Sequence, residues 1–200
     1  MYIPKHFRAT DRAVIEAFIQ QHAFGQLVSQ VNDRPYVTHL PFLLSDDGQT
    51  LYAHLARQNP QLDNLGEQTV MVTFQGPHDY ISPSWYEQPG VPTWNYQAVH
   101  VYGTVRRIED AAELSALVNQ LSVQYEQAQP VPWSPQYKAA MLNAIVGIAI
   151  DINDIEAKFK LSQNRSDADR QAVIARLQER SSSALAEAMQ QSLNAERDLS

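Results

Sequence analysis

Residues 74–102 read FQGPHDYISPSWYEQPGVPTWNYQAVHVY. Seven of them are aromatic: Phe74, Tyr80, Trp85, Tyr86, Trp94, Tyr96 and Tyr102. Four are proline, Pro77, Pro83, Pro89 and Pro92, of eleven in the chain. Proline fixes φ and donates no hydrogen bond, so the stretch is neither one long strand nor one helix. It reads as a strand end, a shaped loop of about fifteen residues and a second strand over 95–107. The large aromatics argue against disorder, because they bury much apolar area. Two roles fit equally: a hydrophobic latch that closes a barrel end or a dimer contact, or the wall of a ligand pocket.

Working outward, residues 26–31, 36–44 and 49–55 are short apolar or alternating runs. The turn clusters Asn32-Asp33-Arg34-Pro35 and Ser45-Asp46-Asp47-Gly48 separate them. That is the pattern of an antiparallel meander. Residues 69–75 make a buried strand, and the apolar run 145–150 closes the sheet. Helical spacing over 11–22 places Val14, Ile15, Phe18 and Ile19 on one face, with Thr10 or Asp11 as N-cap. It returns over 109–127 with Leu114, Leu117, Val118 and Leu121. Asn59-Pro60 predicts a short helix over 60–65, and 136–143 predicts another. Ser166 caps a helix over 166–180. The expected class is mainly β (α+β): a small closed barrel of six or more antiparallel strands with flanking helices. Residues 1–180 form the domain, and 181–200 a helical or frayed tail.

The formal net charge is −7. Neutralising phosphates needs clustered Lys and Arg, so the chain is a poor generic binder of nucleic acid or of an anionic membrane. With no cysteine, disulfides, thiol catalysis and cysteine zinc sites are excluded. The opening MYIPKHFRATD lacks an apolar leader core, and no apolar run is long enough to span a bilayer, so a soluble cytoplasmic protein is expected. The six histidines lie in the first half without metal-ligand spacing. No nucleophile elbow, dinucleotide fingerprint or Walker sequence occurs. No catalytic residue and no metal ligand is assigned. What remains is a polar and basic set suited to a phosphorylated aromatic ligand. Arg57 and Asn59 precede the predicted short helix, where a fork of donors suits a phosphate. Lys158, Lys160, Gln163, Asn164 and Arg165 supply five more donor groups within eight residues.

Six blocks carry a resemblance: MYIPKHF at 1–7, THLPF at 38–42, HLARQNPQ at 54–61, FQGPHDYISPSWY at 74–86, VPTWNY at 91–96 and KFKLSQNR at 158–165. In this order they closely resemble the PaiB family, FMN-binding negative transcriptional regulators. The resemblance covers residues 1 to about 175. It implies a split β-barrel related to that of pyridoxamine phosphate oxidase, working as a homodimer with FMN at the subunit interface. By that analogy Thr38, His39 and Leu40 line the isoalloxazine. Arg57, Gln58, Asn59 and Gln61 sit near the phosphate, and Gln75 and Gly76 approach the ring. Trp94, Asn95 and the late block with Lys160, Gln163 and Asn164 come from the partner subunit. The family often has glycine where this chain has Ala157; if that position needs a positive φ, the local turn differs here. The implied role is negative regulation. The alternative is a flavin-dependent oxidoreductase acting on a small molecule. Direct DNA contact is disfavoured by charge, and no membrane partner is expected.

Overall fold

The structure, a computed structural model, describes residues 1–180 and 182–198. Position 181 and the last two positions of the expected tail lie outside the described residues. Seven strands form an antiparallel sheet: β1 (Phe24–Val31), β2 (Arg34–Pro41), β3 (Leu43–Leu44), β4 (Thr50–Ala56), β5 (Thr69–Ile81), β6 (Thr93–Ile108) and β7 (Ile145–Lys160). Their order is β2-β1-β5-β6-β7-β4-β3. Five α-helices accompany them: α1 (Arg12–Gln21), α2 (Ala111–Glu126), α3 (Ala139–Leu142), α4 (Asp167–Glu179) and α5 (Ser183–Asp198). No helix among the described residues is long and apolar enough to cross a membrane. The residues divide into two units: Glu16–Phe74 with His100–Ile155, and Met1–Ile15 with Gln75–Val99 and Glu156–Ser200.

The first of these units, hereafter the sheet unit, holds the meander. Asn32 and Asp33 join β1 to β2 with φ of 52° and 60°, the left-handed pair that a two-residue hairpin needs. Register runs from Val31↔Arg34 to Phe24↔Pro41. β2 is an edge strand, which explains how it accommodates Pro35. β4 pairs with β7 from Thr50↔Asp151 to Ala56↔Ile145. Alternation buries Leu51, Ala53 and Leu55 of β4. Asp110 caps α2 by accepting from the Ala112 and Glu113 amides at 3.0 and 2.9 Å. That helix buries Leu114, Leu117, Val118 and Leu121 against Ile108 and Ala149.

The other unit, hereafter the helical unit, contains α4 and α5. Ser166 caps α4 by accepting from the Asp169 amide at 3.2 Å. α4 buries Val173, Ile174 and Leu177; α5 buries Leu185, Ala186, Met189 and Leu193. Arg170, 1% exposed, reaches Glu196 at 2.7 Å and Ser192 at 3.2 Å. The stretch expected to be a helical or frayed tail is therefore, over Ser183–Asp198, a helix with a buried apolar face.

Several expected boundaries move. β5 runs through Gly76 and Pro77 to Ile81, because a single proline removes one donor yet keeps a φ compatible with extended backbone. The loop of about fifteen residues shrinks accordingly to the segment between Ile81 and Thr93. β7 continues ten residues past Ile150, with Ala157 and Phe159 buried and alternating with Lys158 and Lys160. Ala157 thus sits inside a strand, and its residue is absent from the positive-φ positions of the described chain. The 60–65 helix is a 3-10 turn over Pro60–Asp63, and the 136–143 helix is only Ala139–Leu142.

Gly103 marks the tightest approach in the sheet unit. A Cβ there would stand 2.4 Å from the Asp151 carbonyl oxygen and 2.7 Å from Ile150 Cγ2. Backbone cannot yield as a flexible side chain does, so Gly103→Ala is expected to cost about 1–3 kcal/mol, the range for overpacking. A urea denaturation curve with an unchanged midpoint would refute this.

Candidate functional site

In the sheet unit, two distant sequence blocks meet at one glutamine. Gln61 is fully buried. Its Nε2 donates to Ser29 Oγ at 2.7 Å and faces the Leu27 and Tyr36 carbonyls at 3.4 Å. Its Oε1 accepts from the Thr38 hydroxyl. Asn59 Nδ2 donates to Thr38 Oγ1 at 3.0 Å, and Asn59 Oδ1 accepts from the Gln61 amide at 2.9 Å. Asn59 is therefore both the cap of the Pro60–Asp63 turn and a neighbour of edge strand β2. Thr38, Asn59 and Gln61 come together in one hydrogen-bonded cluster. Gln61 itself is enclosed, with its side chain on Ser29 and Thr38.

His39, next on β2, is exposed and stacks on Phe24 with ring centroids 6.4 Å apart and planes at 27°. Leu40 is buried in the core, and Gln58 is exposed. Arg57 is engaged elsewhere in this unit. Its Nε and a terminal nitrogen donate to the Asn143 and Ile145 carbonyls at 2.8 and 3.1 Å, and Nη1 meets Glu109 at 3.1 Å. Its guanidinium ties down the segment before β7, with part of its donor fork left over. His54 lies on β4, and its Nδ1 is buried without a hydrogen-bond partner. Burial holds its pKa below the usual histidine value.

In the helical unit, Lys160 Nζ donates to Thr93 Oγ1 and to the Trp94 carbonyl. Burial, and secondarily the charge of Lys158, lower its pKa below the usual lysine value. Trp94 is 53% exposed. Its ring lies 6.4 Å from His78 and 6.2 Å from Tyr80, an open aromatic surface beside a cation. Asn95, 1% exposed, donates to Ser162 Oγ at 2.9 Å. Ser162 takes φ 66°. Gln163 closes that turn, accepting from the Leu161 amide at 2.7 Å and donating to the Phe159 carbonyl at 2.6 Å. Asn95 and Gln163 thus shape the turn after β7, while Asn164 is exposed. Gly76 is buried and Gln75 is exposed, its amide 3.3 Å from His78 Nδ1.

The loop between β5 and β6 is fastened in the same unit. The Arg165 guanidinium lies 4.2 Å from the Tyr86 ring and donates to the Pro89 carbonyl at 3.1 Å. Arg180 lies 5.5 Å from the Trp85 ring, and Asp169 accepts from the Glu87 amide at 2.8 Å. Of the two roles for the aromatic stretch, Trp85 and Tyr86 therefore take the latch, and Trp94 keeps an open face. Ser29, Thr93, His78 and Tyr80 were missed as site members. Alternation continued past Gly76 would have indicated His78 and Tyr80.

Two outcomes follow from this geometry. Gln61→Leu is expected to cost about 1–3 kcal/mol for each buried group it orphans, Ser29 and Thr38 foremost; an unchanged melting temperature would remove Gln61 from its central place. For His54, the unfolded chain takes up its proton near the ordinary value of 6.5 and the folded chain only at lower pH. Stability is therefore constant above that value and falls as pH drops through it. Melting at about pH 7.5 and about pH 5 should show the loss, and His54→Leu should reduce it. The loss should not vanish entirely, because burial also lowers the pKa of His22.

Comparison with known proteins supplies the family. The family described as "Putative FMN-binding domain" matches residues 1–154. The protease synthase and sporulation protein PAI 2 of Bacillus subtilis is 43% identical over 186 residues, covering 89% of each chain. An uncharacterised protein of Aspergillus fumigatus is 30% identical over 87% of this chain and 89% of its own. Among solved structures, the flavocytochrome Anf3 of Azotobacter vinelandii has a TM-score of 0.67 at 17% identity, over 86% of this chain and 78% of its own. An FAD- and haem-binding protein of Mycobacterium smegmatis has a TM-score of 0.64 at 16% identity, over 82% and 79%. These neighbours share the split-barrel fold. This chain belongs to the FMN-binding PaiB family.

Proposed function

We propose that this chain is a cytoplasmic, homodimeric FMN-binding protein that acts in negative regulation, the role that its resemblance to the PaiB family implies. The observation that carries the reading is the 3.0 Å contact of Asn59 with Thr38, held by buried Gln61. It joins the two blocks to which the resemblance assigns the ring and the phosphate.

The donor chemistry fits FMN. An edge strand such as β2 presents peptide groups to the edge of a flat ring, and exposed His39 and Phe24 add aromatic faces. Gln58, Asn59 and the remaining donors of Arg57 suit a phosphate. In the helical unit, Trp94 offers a flat face, and Lys160 is an ammonium whose charge burial leaves poorly compensated. Bound FMN supplies reversible electron-transfer chemistry; the residues named here bind and orient it. Homodimerisation is supported by exposed apolar groups on the β1–β2 hairpin: Phe24 at 68%, Val37 at 44% and Tyr36 at 37%. A net charge of −7 favours regulation through a partner or a small molecule over DNA contact.

A second reading, an oxidoreductase acting on a small molecule, is favoured by the surface that exposed His78 and Trp94 form with half-buried Tyr80. NAD(P)H oxidation by the FMN-loaded protein would select it.

The purified protein is expected to take up FMN with quenching of tryptophan fluorescence, and to sediment at twice 22.6 kDa. Arg57→Ala should weaken FMN by about 1.5–3 kcal/mol, as for hydrogen bonds to a charged group, and riboflavin much less. Equal losses for both ligands with a lowered melting temperature would confine Arg57 to holding the segment before β7. Trp94→Ala should cost more ligand affinity than stability. A protein that leaves the flavin spectrum and its own fluorescence unchanged on mixing would sink the reading.

A further inference from the structure

A cleft of the sheet unit, about 760 Å³, plays no part in the assignment above. It lies beside α2 and the β3–β4 hairpin, with Leu43, Tyr52 and Val123 among its walls. Its size is that of small-molecule sites. Five of its lining residues are amides, Asn119 and Gln124 among them, and among the described lining residues Asp46 alone is charged. The last turn of α2 also lines it and carries no basic residue. A helix C-terminus is negative and favours a cation there.

Two amide oxygens mark the wall. Asn119 Oδ1 and Gln124 Oε1 are both buried with no hydrogen-bond partner. An unpaired buried acceptor is costly. Both sit on terminal amide torsions, which are broad and soft. A donor placed in the cleft therefore gives each oxygen a partner through a small rotation. The unpartnered acceptors, a carboxylate and a helix C-terminus together favour a donor-rich cation over an anion. The carbon surfaces of Leu43 and Val123 favour an apolar chain attached to it.

We propose that this cleft binds an organic ammonium ion with an aliphatic chain, its N–H groups directed to Asn119, Gln124 and Asp46. The site is independent of the flavin reading. Titration calorimetry with hexylammonium, and with 1-hexanol as the uncharged analogue, tests it on the protein as purified, together with amide NMR shifts. Hexylammonium should bind about tenfold or more tightly than hexanol and should move the Asn119 and Gln124 side-chain signals. Asn119→Leu and Gln124→Leu should each weaken it about tenfold, with melting temperature unchanged or raised. Exposed Asp46, changed in Asp46→Asn, gives a variant that leaves the fold untouched and should weaken hexylammonium but not hexanol. Equal binding of the two probes, no response to these variants, or conversion of a dimer to monomers by them would overturn the proposal. The last result would assign the cleft to a subunit contact.

Discussion

A primary amide cut off from water must find every partner inside the protein, and Gln61 does so. Its side-chain partners include Ser29 of β1 and Thr38 of edge strand β2, and Asn59 in the turn after β4 accepts from its backbone N–H. An edge strand is the least constrained part of a sheet, since only one neighbour fixes it. Here a second constraint fixes β2 by side chains, and it acts at Thr38. Short polar links of this kind rigidify only when every member is satisfied. Gln61 meets that condition, so a peptide edge that would otherwise flex can present its groups at fixed places. Precision at a binding surface comes from such supporting contacts more than from the exposed residues themselves.

The helical unit applies the same logic with charge and aromatic rings. Arg165 and Arg180 sit over Tyr86 and Trp85, and buried Asp169 holds the Glu87 amide. The two cation–aromatic contacts are each worth about 0.5–1 kcal/mol where exposed and more where water is excluded. With the Asp169 hydrogen bond they hold one short loop to α4 and to the residues that flank it. The prolines narrow the shapes the loop can adopt when unfolded, so less entropy is lost on fastening it. Trp94 stands outside that set of contacts, which is why its face remains open.

The strands, their turns and the helix caps were legible because each rests on a local rule. Asn32-Asp33 is a hairpin turn wherever it lies between alternating runs, and Ser166 is a cap by its place before apolar spacing. Strand ends were not legible. β7 was read to Ile150 because its apolar run ends there, yet pairing carries it to Lys160 through charged residues. The site was legible as residue types and not as roles. Thr38 and Asn59 meet because Gln61 is buried, and nothing local in HLARQNPQ distinguishes a buried glutamine from a ligand contact. Arg57 shows the converse. Its carbonyl partners lie more than 80 residues away, beyond any spacing rule.

Lys160 shows how such placement turns into chemistry. A lysine on a strand's solvent side would keep its ordinary pKa. This one accommodates a hydroxyl and a carbonyl, which solvate the ammonium without neutralising it. Burial and Lys158 both work against its charge. Its lowered pKa is therefore a stability cost in the charged form, relieved as pH rises and the proton leaves. A bound anion relieves the same cost without loss of the proton, because an opposite charge nearby favours the ammonium. Binding of an anion at Lys160 would thus be linked to its titration: the ligand would raise the pKa, and deprotonation would weaken the ligand. Perturbed groups of this kind mark functional sites more often than ordinary ones do. Its contacts with Thr93 and Trp94 distinguish Lys160 from the solvated charge that it looks like in KFKLSQNR.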